Sequence, residues 1–204
     1  MIDTIIFDLG GVIVSPECEK LDALVSKALG IKFEDFKQAA AKYKSDLTKG
    51  KLTLLDAYSS LVSELNIKDY TAKDILKTHL KIMDRILDNL DQNILSLLQK
   101  LRKDYRLVCL ANTESEIVSL TRKHGIYDYF EKAYVSPELG MKKPDAEIYL
   151  AVLKDLNCKP ENTLLIDDKK ENVEGAEKVG IRVIYYNPGM NLQKELVRFS
   201  IKVK

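Results

Sequence analysis

Residues 2–14 read IDTIIFDLGGVIV. Within them, residues 4–7 form a β-prone run with no polar alternation after Thr4. That pattern predicts a central parallel strand covered on both faces. The run ends on the carboxylate of Asp8, with Gly10 and Gly11 close behind. Open α/β sheets bind ligands beyond the carboxyl ends of their strands, so Asp8 stands where a reacting group belongs. The glycines let backbone amides come close to a ligand, which makes Gly11 a candidate substrate contact. A buried strand ending in a turn, with Asp8 merely satisfying loop amides, is the plainer reading. Three later segments weigh against it.

A chain of 204 residues suits one domain with an inserted lobe, or two small domains. The formal net charge of +1 gives no electrostatic grip on nucleic acid or an acidic membrane, so neither is expected as a partner. No apolar run approaches membrane length, and the first strand begins without a basic leader. A cytoplasmic location is the expectation. The three cysteines, Cys18, Cys109 and Cys158, are odd in number and widely spaced, which reads as reduced thiols. With only His79 and His124, histidine metal clusters and Ser-His-Asp chemistry lack support. His79 falls in a helical pattern and His124 precedes Gly125 at a helix end, so both read as structural.

Residues 15–87 read as helices without clear strands. Ser15-Pro16-Glu17 combines a cap, an N1 proline and a first-turn acid. Leu21, Leu24, Val25, Ala28 and Leu29 follow at helical spacing. A second helix is expected over 34–47, a third capped by Thr53, and a fourth opened by Thr71 with Asp74 as a capping box. Four short amphipathic helices in a row predict a compact helical lobe. From residue 88 the pattern alternates: helices over 91–103, 114–124, 146–157 and 170–179, and strands over 106–111, 133–135, 163–166 and 182–186. The fold class is therefore α/β, a doubly wound parallel sheet formed by residues 1–14 and 88–204. Residues 15–87 are inserted as a helical-bundle cap.

Polar residues gather at the ends of these strands. In Ala111-Asn112-Thr113, Asn112 offers an amide, and Thr113 with Glu116 has capping-box spacing at a helix start that favours an anion. Capping alone accounts for Thr113 as well as ligand contact does. In residues 136–145, SPELGMKKPD, Lys143 is held extended by the following proline and Asp145 can cap the next helix. Asp167-Asp168 places two carboxylates at a strand end, where they repel unless amides or a cation compensate them. Mg²⁺ is the economical compensation, because it prefers oxygen ligands.

Together the segments FDLGGVIV (7–14), LANT (110–113), SPELGMKKPD (136–145) and LLIDDKKENVEGA (164–176) resemble the haloacid dehalogenase-like hydrolase superfamily. The glycine-rich first segment is most similar to the subgroup holding sugar-phosphate phosphatases and the amino-terminal domains of certain epoxide hydrolases. The resemblance implies a Mg²⁺-dependent phosphatase of a small phosphorylated metabolite. Asp8 would be the nucleophile that becomes an aspartyl-phosphate. Asp8, the Gly10 carbonyl, Asp167 and Asp168 would hold the metal. Lys143 would neutralise charge between Asp8 and phosphate, and Asn112 would seat phosphoryl oxygens.

Two positions depart from the family pattern. Gly10 stands where most phosphatases of the family carry a second aspartate as general acid and base, a contribution of ~10²–10⁴-fold. Ala111 stands where a phosphate-binding serine or threonine is usual. A catalytically depleted binding or regulatory protein is therefore the alternative. A metal-free dehalogenase-type hydrolase ranks third, since Gly10 replaces the aromatic residue of such enzymes and the acidic pair would have no purpose.

Overall fold

The structure, a computed structural model, describes residues 1–203. Strand β1 (Thr4–Phe7) is followed by a 3₁₀ turn (Pro16–Lys20) and helices α1 (Leu21–Leu29), α2 (Phe33–Ala41), α3 (Lys44–Thr48), α4 (Leu54–Glu64) and α5 (Ala72–Leu87). Helix α6 (Gln92–Leu101) leads to β2 (Arg106–Ala111), then α7 (Ser115–Lys123), β3 (Lys132–Val135) and α8 (Ser136–Leu139). The chain continues through α9 (Ala146–Leu156), β4 (Thr163–Asp167), α10 (Lys170–Lys178), β5 (Arg182–Tyr185) and α11 (Leu192–Val197).

The strands form one sheet of five, parallel as the alternating pattern predicts, in the order β3-β2-β1-β4-β5. β1 is the middle strand, pairing Ile6 with Val108 on one side and Leu165 on the other. Its four residues are all buried. Successive side chains point to opposite faces. Ile5 and Phe7 join Leu107, Cys109, Leu164 and Ile166 on the face covered by α6 and α11. Ile6 joins Val108, Leu110 and Leu165 on the face covered by α9. Helices on both faces explain why these strands are continuously apolar.

The segment between β1 and α6 is helical, as expected, but its details differ. The helix expected over 34–47 divides into α2 and α3, because the amides of Lys42 and Tyr43 turn back to Ala39 and Ala40 in a tighter turn. Phe36, Ala39, Tyr43 and Leu47 all reach one apolar cluster, so periodicity runs straight across the break. The boxes at Thr53 and Thr71 form as predicted, each hydroxyl accepting from the amide three residues on. Core residues of these helices, among them Val25, Phe36, Leu61 and Ile75, are continuous with the cluster on one face of the sheet. The insert therefore shares its apolar interior with the sheet. All three cysteines are free thiols, and no helix among the described residues is long and apolar enough to cross a membrane.

Candidate active site

The carboxyl ends of β1, β2 and β4 converge. Asp8 prolongs β1, its amide donating to the Ile166 carbonyl at 2.9 Å, so its side chain leaves the sheet beside Asp167 at the end of β4. Lys143 arrives from the loop between α8 and α9 and is buried whole. Its ammonium donates to Asp8 Oδ1 at 2.8 Å and to Asp167 Oδ2 at 2.6 Å. Asp167 is also fixed from below by the Asn172 amide at 2.9 and 3.0 Å and by the Lys169 backbone N–H at 2.9 Å. Asn172 is positioned in turn by Tyr149, whose hydroxyl donates to the Asn172 carbonyl.

Carboxylate oxygens of Asp8, Asp167 and Asp168 all lie within 4.8 Å of one another. The Lys143 ammonium bonds two of these three carboxylates, and the crowding of negative charge shows at Asp8 and Asp168. Burial pushes the Asp8 pKa up, and Asp167 adds to the rise while Lys143 opposes it. Burial followed by the charges of Asp8, Glu19 and Asp167 raises Asp168 to about 7. Burial works against the charged form of Lys143, yet Asp8 and Asp167 outweigh it and hold the ammonium charged. Asp168 Oδ1 is buried with no hydrogen-bond partner among the described residues. A hard divalent cation fits this all-oxygen, electron-rich set and would engage that orphaned oxygen.

Several sequence expectations are corrected here. The Gly11 amide donates to the Val14 carbonyl at 2.8 Å, so it is spent inside the turn rather than offered to a ligand. What Gly11 supplies is space: its φ is +79°, and a Cβ there would sit 2.0 Å from Asp168 Oδ2. Gly11→Ala should cost at least ~1–2 kcal/mol from the backbone alone and also dislodge Asp168. Urea unfolding checks this, and an unchanged midpoint would contradict it.

Asn112 has a structural task besides any ligand contact. Its carboxamide clamps the Lys143 backbone, accepting from the amide at 2.9 Å and donating to the carbonyl at 2.8 Å. Asn112 thus positions the lysine, with one N–H left over. Thr113 and Glu116 form no capping box. Glu114 is the N-cap residue without a side-chain bond, and the Thr113 amide donates to Ser136 Oγ. Glu116 is drawn away by the backbone N–H of Leu54, at 2.8 Å, across the boundary between insert and sheet. Asp145 likewise makes no capping bond and pairs with Lys49 at 3.4 Å.

Above the carboxylates lies a cavity of about 550 Å³, within the ~300–1,000 Å³ range of small-molecule sites. Asp8, Gly10, Ala111, Asn112, Thr113 and Lys143 line its floor, and helices α1 to α5 supply much of its walls, with Glu114 and Ile117 beside them. Sequence reasoning missed Asn172, Ser136 and the wall residues Lys44, Tyr58 and Glu114. His79, expected to be structural, is buried against Tyr58 and also lines the cavity. Only the DDKKEN run hinted at Asn172, since five residues from Asp167 along a helix start brings it back to the strand end.

Known proteins agree with this arrangement. D-ribitol-5-phosphate phosphatase of Bacteroides thetaiotaomicron is 27% identical, the match covering 96% of this chain and 97% of that one. A HAD-like family hydrolase from Porphyromonas gingivalis superposes with a TM-score of 0.79 at 27% identity over 99% of both chains. A HAD family enzyme from Bacteroides thetaiotaomicron, solved in complex with magnesium and inorganic phosphate, gives a TM-score of 0.75 at 25% identity, covering 96% of this chain and 99% of that one. The family model for haloacid dehalogenase-like hydrolases matches residues 2–180, from two residues ahead of β1 to the turn before β5. With all four motif segments inside that span and Asp8, Asn112, Lys143 and Asp167 meeting at the carboxyl end of the sheet, this chain belongs to the haloacid dehalogenase-like hydrolase family.

Proposed function

We propose that this hydrolase is a phosphatase of small phosphorylated metabolites, with Asp8 as nucleophile. The observation that carries the reading is the buried Lys143 ammonium bridging Asp8 and Asp167 at the floor of the cavity. Lys143 keeps Asp8 aimed and offsets the negative charge that a phosphate would bring against it. Asp8 attacks phosphorus, the bond to the leaving oxygen breaks, and that oxygen takes a proton from water. A second water then attacks phosphorus, releasing inorganic phosphate and restoring the Asp8 carboxylate. Asp8, Asp167 and Asp168, with the Gly10 carbonyl, would hold Mg²⁺, which when bound neutralises charge on the phosphoryl oxygens.

Residues 15–87 act as a cap over the core of 1–14 and 88–204, closing the cavity from above. Contacts across that boundary support the division of labour: Lys44 with Glu114 at 2.7 Å, Lys49 with Asp145 at 3.4 Å, and the Leu54 amide with Glu116 at 2.8 Å.

The test is phosphate release from a panel of sugar and polyol phosphates with and without Mg²⁺. Wild-type protein should turn over at least one of them only with the metal, and Asp8→Asn should abolish release while leaving the fold intact. Mg²⁺ should raise the melting temperature of the wild type, and Asp167→Asn should lose most of that gain. Activity surviving in purified Asp8→Asn would sink the assignment of the nucleophile.

A further inference from the structure

His79 lies in the middle of α5 and is only 4% exposed, yet it lines the cavity rather than the core alone. Its Nδ1 is hydrogen-bonded to the hydroxyl of Tyr58 on α4. Its Nε2 has no partner among the described residues. Burial lowers its pKa to about 4, with Glu114 opposing and Lys44 reinforcing, so the ring is neutral at pH 7 and carries one N–H. If Tyr58 donates to Nδ1, that N–H sits unpaired at Nε2; if Nδ1 donates to Tyr58, Nε2 is an unpaired acceptor. Nε2 is thus the ring atom left to bond a group that enters the cavity.

The surroundings restrict what that occupant is. Leu47, Leu54, Ala57, Leu61 and Met83 make the adjoining wall apolar. The nearby Lys44 and Glu114 pair with each other at 2.7 Å, so together they bring no net charge to attract a second phosphate or carboxylate. A hydroxyl fits both tautomers of His79, because it donates and accepts.

We infer that His79 determines specificity, hydrogen-bonding through Nε2 to a hydroxyl on the organic part of the substrate and so selecting phosphate esters of hydroxylated carbon chains over those of bare hydrocarbons. This rests on the phosphatase reading above, and the relative named for ribitol 5-phosphate offers the probe.

The experiment compares kcat/KM for ribitol 5-phosphate and n-pentyl phosphate, equal in carbon count and differing in hydroxyls. Wild type should prefer ribitol 5-phosphate. His79→Leu should lose roughly tenfold or more on it, the worth of one hydrogen bond with its partner left unmade, and change by less than about threefold on pentyl phosphate. His79→Gln, which keeps a polar amide, should retain part of the preference. A merely structural role would lower both esters alike, and an unchanged ratio overturns the inference.

If wild type hydrolyses neither ester, the phosphatase reading fails and binding decides this one. Imidazole ¹⁵N spectra serve there and also cover a His79→Leu protein that does not fold, since the chain has only 2 histidines to assign. Added to Asp8→Asn protein with Mg²⁺, ribitol 5-phosphate should shift the His79 Nε2 resonance and pentyl phosphate should leave it in place. Equal responses to the two esters, or none to either, overturn the proposal.

Discussion

Gly10→Asp combined with Cys18→Ala is expected to raise kcat for alkyl phosphates by roughly 10²–10⁴-fold, the ordinary worth of a positioned acid. Gly10 lies outside the left-handed region that Gly11 occupies, so an aspartate there needs no backbone change. Space is the remaining obstacle, because a Cβ on Gly10 would meet Cys18 Sγ at 3.3 Å. Burial raises the Cys18 thiol to about 11, so the thiol is neutral, and alanine removes its bulk without removing a charge. The new carboxyl would protonate a leaving alkoxide. It should therefore help sugar and alkyl phosphates strongly and p-nitrophenyl phosphate hardly at all, since nitrophenolate departs unaided. A folded, Mg²⁺-binding double variant that gains nothing on any ester would mean the acid comes from elsewhere, or that the site binds without turning over.

Lys143→Met is expected to lower stability by about 3–5 kcal/mol, the usual result of stripping one partner from a buried ion pair. Its ammonium is wholly buried, and its removal leaves Asp8 and Asp167 facing each other with only Asn172 and backbone N–H groups to answer them. Methionine keeps the length of the stem, so lost packing contributes little. The variant should also gain more in melting temperature from Mg²⁺ than wild type does, because a more negative site attracts the cation more strongly. Urea unfolding with and without the metal reads both effects. A loss under about 0.5 kcal/mol would show that the carboxylates are compensated by something other than Lys143.

The sheet was legible because its signals are local. An apolar run ending on Asp8, and helices recurring between strands, follow from patterns a few residues long. The boxes at Thr53 and Thr71 were legible for the same reason, both partners lying within one turn. Thr113 and Glu116 have that spacing too, but the Leu54 amide, 62 residues away in sequence, claims the Glu116 carboxylate. Asn112 shows the same limit: nothing near it in sequence announces that its carboxamide clamps the Lys143 backbone, 31 residues on. Burial of a strand on both faces can be read from its apolar run. The partner chosen by a hydrogen bond cannot, because competing partners differ by less than the energy of folding that brings them together.

Because β1 is the central strand, the order of synthesis runs against the order of assembly. Thr4 finds its neighbours at Arg106 and Thr163, so the strand made first waits for chain made far later. At ~5–20 residues per second, roughly 10–30 s separate its emergence from that of its second neighbour. Throughout that interval TIIF, an uncharged β-prone edge, is open to wrong pairing. The helices encoded immediately after it need only local contacts, and several bury side chains in the same cluster as Ile5 and Phe7. The inserted segment is thus encoded where its locally folding helices can cover the strand before its sheet neighbours are made.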